Sequence, residues 1–493
     1  MFFFALSRLC VVKIMNQQLQ NAYREGRRIL QDTAADGFKP LEGFNEKAGK
    51  IINDLYSHET DDDYFAHVTG ETIPRLFAAD VSTGYSFFNN REILDKIWSI
   101  YNRASRIITS KIKLPQITLG KNPPFRTACV TSIFSDYIGP SKDISDLALY
   151  LDRKLFEPVV ISTNQFNTIR RLHSSSVPGQ SNTNMGIELE KNGIRVISIP
   201  EQNNIADLAL KLIEICLEEK IDIVISNASL FSFPEACLAV SGAVLSFFDF
   251  HRGFPLYSDG IDAILHWLES TRDKQLSLWI EKGGKVIDYN YILKVPSLPR
   301  RPEKKDDMVY FITASNYLER RLSPEFCELV SRLMMEFPNT RYQLIGSCDT
   351  NTVKLKFNSA VLDRIEFKGS IKDEILMLAY FANADIYLNE FPVGGGRVVL
   401  EAMSAYLPVV AMKCGDLHVE NIAAEQVGEF AIKEYSPEKY YALVKELVTS
   451  SEKREKAALV MRKRIEEVYD FKKNVDFLAS KMLEIHMDKL GKL

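Results

Sequence analysis

Several things are missing from this chain of 493 residues, and each absence removes a class of protein. No later segment contains 18 uninterrupted apolar residues, so no membrane-spanning helix is expected. The apolar start, Met1 to Met15, is too short to span and is broken by Arg8 and Lys13. It also lacks the small-residue cleavage site of a secretory leader, and Met15 offers a second start. An excess of basic charge is absent too. Sixty-one Lys and Arg against 65 Asp and Glu leave a net charge of −4, so no nucleic-acid partner is expected. The seven cysteines, at 10, 129, 216, 237, 327, 348 and 414, are scattered and contain no C-x-x-C pair. That spacing favours neither a zinc site nor a disulfide framework, and a reducing, cytoplasmic setting is expected.

The remaining composition is that of a globular protein long enough for two or three domains, with 46% hydrophobic and 26% charged residues. Residues 1–118 read as a helical region, with apolar residues at helical spacing over Asn16 to Gln31 and Glu92 to Ile108. Lys121-Asn-Pro-Pro124 marks a boundary. Strand and helix alternate after it. Strands are expected at Thr127 to Phe134, Pro158 to Thr163, Ile194 to Ile199, Ile221 to Ile225 and Ala243 to Phe248, with helices at Asp143 to Leu155 and Ile205 to Glu219. This rhythm predicts a parallel sheet covered by helices, over residues 119–295. The Pro-rich, charged stretch Pro296 to Lys305 reads as a linker. A second series occupies residues 296–493. Its expected strands are Met308 to Thr313, Tyr342 to Ile345, Arg364 to Phe367, Ala384 to Leu388 and Pro408 to Met412, and a helical tail follows Pro437. Two Rossmann-like lobes facing a cleft are the expected α/β architecture, with ligands at the carboxyl ends of the strands.

The most informative stretch runs from Asn389 to Ala411 and reads as strand, glycine loop, helix, strand. Gly394, Gly395 and Gly396 would let a ligand approach the backbone and would open a helix whose N–H groups favour an anion. Arg397 adds a planar cation there. Glu401 lies one turn further on the same face. Such a set suits a nucleotide diphosphate, with the helix end and Arg397 on the phosphates and Glu401 on ribose hydroxyls. By itself, three glycines make an ordinary tight turn equally well.

The wider pattern resembles the GT-B glycosyltransferases, and most of all the branch of protein O-GlcNAc transferases and bacterial adhesin N-glucosyltransferases. Asn316 followed by Arg320-Arg321-Leu-Ser-Pro-Glu325 is similar to that family's N-x-x-x-K-I-x-P segment. Arg364 to Glu374, with Ser370 and Ile371 at its turn, resembles the loop under the nucleotide base. Asn389 to Ala411 resembles its D-x-F-P-x-x-G-x-T-T segment and the helix after it, and Gly415-Asp-Leu-His418 its G-D-x-H loop. A weaker match is Phe250-His-Arg-Gly-Phe-Pro255 with Ser258 and Asp262. The chain departs from the pattern at Arg397 and Val398, where the family has two Thr, at Tyr406, where it has Gly, and at Arg320 or Arg321, where it has Lys. No tetratricopeptide array precedes the matched region. The retaining E-x7-E pattern would need an acid where Val393 stands.

The resemblance implies transfer of a sugar from a UDP-linked donor, UDP-GlcNAc or UDP-glucose, to a hydroxyl or amide acceptor such as a protein side chain or glycan. Inversion is expected with it. His251 is the candidate catalytic residue. Asn316, Arg320, Arg321, Ser370, Ile371, Gly394, Gly395, Gly396, Arg397, Glu401 and His418 are the candidate donor ligands. Lys413 is a further phosphate candidate, and Asp136, Tyr137 and Gly139 form either an acceptor turn or a plain one. No D-x-D pair stands in these motifs, because Asp61-Asp62-Asp63 falls in the helical region. Neither a metal nor a cofactor is therefore expected, and the N-terminal helices offer a face for self-association. A nucleotide-sugar epimerase of the same fold, or a non-catalytic partner subunit, are the alternative readings.

Overall fold

A computed structural model describes residues 17–492, apart from 33–41, 60–61, 81–86, 89, 114–119, 121, 137–138, 166–182, 228–231, 251–255, 257, 268–271, 292–306, 316–317, 372 and 416–417. The chain divides into two units. One comprises Met1–Trp267, Arg272–Tyr289 and Val475–Leu493, and the other Leu268–Thr271 and Asn290–Asn474.

Unit 1 begins with four helices: α1 (17–32), α2 (Phe44–Tyr56), α3 (Asp63–Asp80) and α4 (Arg91–Thr109). α4 starts where Asn90 accepts hydrogen bonds from the backbone N–H groups of Glu92 (2.9 Å) and Ile93 (3.4 Å), an N-cap that satisfies two of the helix's orphan donors. Its apolar stripe, Ile93, Leu94, Ile97, Trp98, Ile100 and Tyr101, is buried. The sheet follows: β1 (Phe125–Thr131), α5 (Gly139–Tyr150), β2 (Phe156–Ser162), α6 (Asn184–Lys191), β3 (Val196–Ser198), α7 (Ile205–Glu218), β4 (Ile223–Ser226), α8 (Phe233–Ser241), β5 (Ser246–Phe250), β6 (Ala263–His266), α9 (Arg272–Glu281) and β7 (Lys285–Asp288). All seven strands are parallel, in the order β3-β2-β1-β4-β5-β6-β7. The strand order reverses between β1 and β4, the switch point where ligands of such sheets bind.

The helices of residues 17–109 are no separate domain. Their Ile52, Leu76, Ile97 and Tyr101 share one apolar core with Val130, Leu212, Val224 and Phe247 of the sheet and its covering helices. The end of the chain also belongs here. His486 and Lys489 reach back to Ser246 (3.0 Å) and Asp262 (2.8 Å), so Val475–Leu493 groups with unit 1 rather than with the second lobe.

Unit 2 contains β8 (Val309–Ala314), α10 (Leu318–Arg321), α11 (Pro324–Glu336), β9 (Thr340–Ile345), α12 (Thr350–Lys354), β10 (Ile365–Gly369), α13 (Glu374–Asn383), β11 (Ile386–Leu388), α14 (Arg397–Ser404), β12 (Val409–Val410), α15 (His418–Val427), α16 (Pro437–Thr449), α17 (Ser451–Val468) and the start of α18 up to Asn474 (α18 spans Phe471–Leu490). Its parallel sheet has the order β10-β9-β8-β11-β12. Ser323 caps α11 by accepting from the Phe326 N–H at 3.1 Å, and Pro324 occupies the first turn, where a missing N–H costs nothing. The core packs Phe311, Phe326, Val330, Tyr342 and Leu344 against Ile386, Leu388, Val410 and Tyr440. Two strands are not legible as sequence patterns, β6 and β7. They are only four residues each, and β7 is partly exposed.

Candidate functional site

The glycine loop of unit 2 leaves the carboxyl end of β11 and enters α14. It is folded tightly on its own neighbour Asn389. The Gly395 N–H donates to Asn389 Oδ1 at 3.1 Å, and a Cβ at Gly394 would fall 2.1 Å from Asn389 Nδ2. Asn389 is fixed in turn, because the Tyr440 hydroxyl donates to its carbonyl at 3.0 Å. A Cβ at Gly395 would sit 2.4 Å from Val398 Cγ1, 3.6 Å from Arg321 Nη1 and 3.7 Å from Tyr387 Oη. Glycine is therefore needed at both positions to keep the loop this close to its surroundings. α14 opens at Gly396, which supplies no side-chain cap to its first backbone N–H groups.

Arg321 is the cation that approaches this loop. The residue counts from Asn316 and from Pro324 disagree over which arginine fills the family's Lys position. The count from Pro324 gives Arg321, whose Nη1 lies beside Gly395. Its segment is stitched to the strand end by Ser323, whose Oγ donates to the Phe391 carbonyl at 2.8 Å, and by Lys356, whose Nζ donates to the Leu322 carbonyl at 2.9 Å. The Arg320 side chain and Asn316 lie outside the described residues.

Two acids at this site behave differently from the sequence expectation. Glu401 and Arg397, expected to divide ribose and phosphate between them, form an ion pair with each other at 3.0 Å. Both side chains are almost buried, 13% and 9% exposed, so any ribose or phosphate contact has to be made from within that pair. Glu390, which no sequence motif singles out, is fully buried beside Arg321, Oε1 to Nη1 at 3.4 Å, while its Oε2 has no hydrogen-bond partner among the described residues. Burial pushes its carboxyl above the ordinary range and the Arg321 charge opposes that rise.

The other expected donor ligands are spread more loosely. Ser370 is exposed and Ile371 half-buried after β10. Gly369 of that strand is tied to Gly346, whose N–H donates to the Gly369 carbonyl at 2.9 Å. Gly346 was missed at the sequence level, though it directly follows a strand. Its φ is +143°, and a Cβ there would lie 1.8 Å from the Ser315 carbonyl oxygen, so only glycine lets β9 end against β8. His418 begins α15, with its side chain outside the described residues.

Unit 1 answers several sequence expectations with structural roles. Asp136 accepts from the backbone N–H groups of Asn184 (2.9 Å) and Met185 (3.0 Å) at the start of α6, which makes it a helix-end acceptor. Asp262 accepts from the Phe247 N–H at 2.8 Å and holds Lys489. Ser258 is buried and donates to the Ala236 carbonyl at 3.4 Å. His251 and Tyr137 lie outside the described residues. Two further acids were missed, Glu235 in the first turn of α8 and Asp249 in β5. Both are fully buried, and among the described residues Glu235 has no charged partner, with the Thr163 side chain as a polar neighbour that opposes its rise. Burial pushes Glu235 up to about 7. Asp249 is raised well above the usual range, first by burial, with the neighbouring Glu235 charge adding to the rise. Their only sequence signal is position, one shortly after the strand Ile221 to Ile225 and one just before His251. Among the described residues no group of three His, Cys, Asp or Glu side chains is placed to hold a metal ion. No helix among them is long and apolar enough to cross a membrane.

With this geometry in hand, known proteins give the chain its relatives. Residues 312–450 match the family described as "Glycosyl transferases group 1". No curated protein matches the chain in sequence. Solved structures match its fold. A point mutant of the O-GlcNAc transferase of Thermobaculum terrenum superposes with a TM-score of 0.55 at 13% identity, covering 98% of this chain and 99% of its own. A glycosyltransferase from Rickettsia africae gives 0.54 at 14%, covering 75% and 99%. The lipopolysaccharide outer core galactosyltransferase WaaB, in its apo form, gives 0.52 at 13%, covering 72% and 100%. The fold is therefore GT-B, with two Rossmann-like units, helices before the first sheet and helices after the second.

Proposed function

We propose that this GT-B glycosyltransferase moves a sugar from a UDP-linked donor, UDP-GlcNAc or UDP-glucose, to a hydroxyl or amide acceptor, a protein side chain or glycan among them. The reading rests on one observation above all. The uncapped start of α14, the glycine loop and the Arg321 guanidinium converge at the carboxyl ends of β8 and β11. Backbone N–H groups and a planar cation at a strand-to-helix turn suit a diphosphate.

As the anomeric carbon leaves the β-phosphate oxygen, negative charge grows on the diphosphate. Donors already aimed at it stabilise that charge without reorganising. The helix end and Arg321 take this part, so the transfer requires no metal ion. The Arg397–Glu401 pair flanks the same loop, and Glu401 meets the ribose hydroxyls from within that pair. His251 takes the acceptor proton while the acceptor oxygen or nitrogen bonds to the anomeric carbon, UDP departs and the configuration inverts. A thermal-shift panel of nucleotide sugars on the intact chain tests the donor. UDP-GlcNAc or UDP-glucose should raise the melting temperature, and a flat panel would remove the donor assignment. Incubation with the stabilising donor alone separates transfer from epimerisation, because transfer leaves the sugar unchanged.

A further inference from the structure

We infer that Glu390 is a positioning residue for the donor diphosphate, aiming the Arg321 guanidinium over the glycine loop from a buried seat. The inference rests on the donor-site reading above and adds a residue that the family pattern does not require.

The two partners differ in how they face water. Glu390 is 0% exposed, whereas the Arg321 side chain is 27% exposed. A buried carboxylate costs free energy unless it is paired and hydrogen-bonded, and here the pairing is incomplete. Only Oε1 meets Arg321, at 3.4 Å, longer than the roughly 2.7–2.9 Å typical of a charge-assisted bond. Oε2 meets no donor among the described residues. A pair kept for stability alone would be expected to close fully. Here the same Nη1 meets Glu390 Oε1 and borders the Gly395 Cβ position, so the carboxylate acts on the nitrogen that faces the loop.

Both ends of the pair are anchored by backbone. Ser323, two residues after Arg321, donates to the carbonyl of Phe391, the residue after Glu390. Lys356 binds the Leu322 carbonyl. Tyr387, on the strand leading to Glu390, is fixed by its hydroxyl donating to the Ala314 carbonyl at 3.2 Å. Its Oη lies 3.7 Å from the Gly395 Cβ position, against 3.6 Å for Arg321 Nη1. The guanidinium thus has a fixed floor, a fixed wall and one anionic anchor. Without the anchor, a flexible arginine would lose its aim before it lost its charge, and orientation is what a bidentate phosphate contact demands.

The test is calorimetry of UDP and uridine on the intact chain, for wild type, Glu390→Gln, Glu390→Asp, Arg321→Ala and the Arg321→Ala/Glu390→Gln double variant, each with its melting temperature. UDP affinity should fall about tenfold in Glu390→Gln and in part recover in Glu390→Asp, with uridine affinity unchanged. The double variant should bind UDP no more weakly than Arg321→Ala, because Glu390 acts through the arginine. UDP affinity untouched by Glu390→Gln but lost in Arg321→Ala would overturn the inference alone. Additive losses in the double variant would overturn it too. Wild type that binds no UDP would overturn the donor-site reading and this inference with it.

Discussion

The two units bury carboxylates beside different neighbours. In unit 1, Glu235 and Asp249 are fully buried and no cation is bonded to either among the described residues. Burial raises both, and the Glu235 charge raises Asp249 further. In unit 2, Glu390 lies beside Arg321 and Glu401 beside Arg397. In unit 1 burial raises the carboxyls with no guanidinium bonded to them among the described residues, whereas in unit 2 burial also raises Glu390 but the Arg321 charge opposes the rise. A region that keeps arginines in place at a glycine loop is prepared for an anion.

That contrast can be broken at four points. The largest effect is expected at Glu235. Its folded value, about 7, lies above the usual 4.5, so its contribution is fully present below about pH 4.5 and is lost as pH rises through about 7. At about 1.36 kcal/mol per unit, the loss comes to about 3 kcal/mol. Glu235→Gln should therefore be more stable than wild type at pH 8 and no more stable at pH 4, as denaturant melts at the two pH values would show. Equal stability differences at both pH values would mean that Glu235 is not held protonated in the fold.

Next comes His251. His251→Ala should lower turnover about a hundredfold, about 2.7 kcal/mol of transition-state stabilisation, and leave UDP affinity and melting temperature alone. Wild-type turnover would shift the base to another group, and joint loss of UDP binding would make His251 a donor ligand. Arg397→Ala should weaken UDP by about 1.5 kcal/mol, the low end for a charged hydrogen bond, because Glu401 already occupies its Nε. A lower melting temperature with unchanged UDP affinity would confine the Arg397–Glu401 pair to supporting the helix. Smaller again is the tenfold effect of Glu390→Gln on UDP affinity.

The sequence carried the periodic parts of this molecule well. Ile221 to Ile225 and Tyr342 to Ile345 are apolar runs of strand length, and both lead into or lie in parallel strands. Ser323 and Pro324 announced a helix start by cap chemistry alone. β6 and β7 were not read as strands, and β7 is partly exposed, with only Val286 and Ile287 apolar between Lys285 and Asp288. Of the candidate site, the tight loop was legible as backbone freedom at Gly394 and Gly395. Its electrostatics were not. An i,i+4 spacing puts Arg397 and Glu401 on one face, and that same closeness lets them neutralise each other before any ligand arrives. Glu390 carried no periodic or motif signal. Its meaning comes from Arg321, 69 residues earlier, and only the fold brings the two together. The placement of most of α18 with unit 1 was hidden for the same reason, since it depends on His486 and Lys489 finding β5 and Asp262 far back in the chain.

The central claim is that unit 2 receives a nucleotide diphosphate on backbone N–H groups and arginine. Titration calorimetry of UDP and of uridine into the intact chain in EDTA tests it most directly. UDP should bind at least about tenfold more tightly than uridine without added metal, the difference about 1.5–3 kcal/mol expected of charge-assisted contacts to the phosphates. Equal affinities for UDP and uridine, or UDP binding that appears only with Mn²⁺ or Mg²⁺, would contradict it.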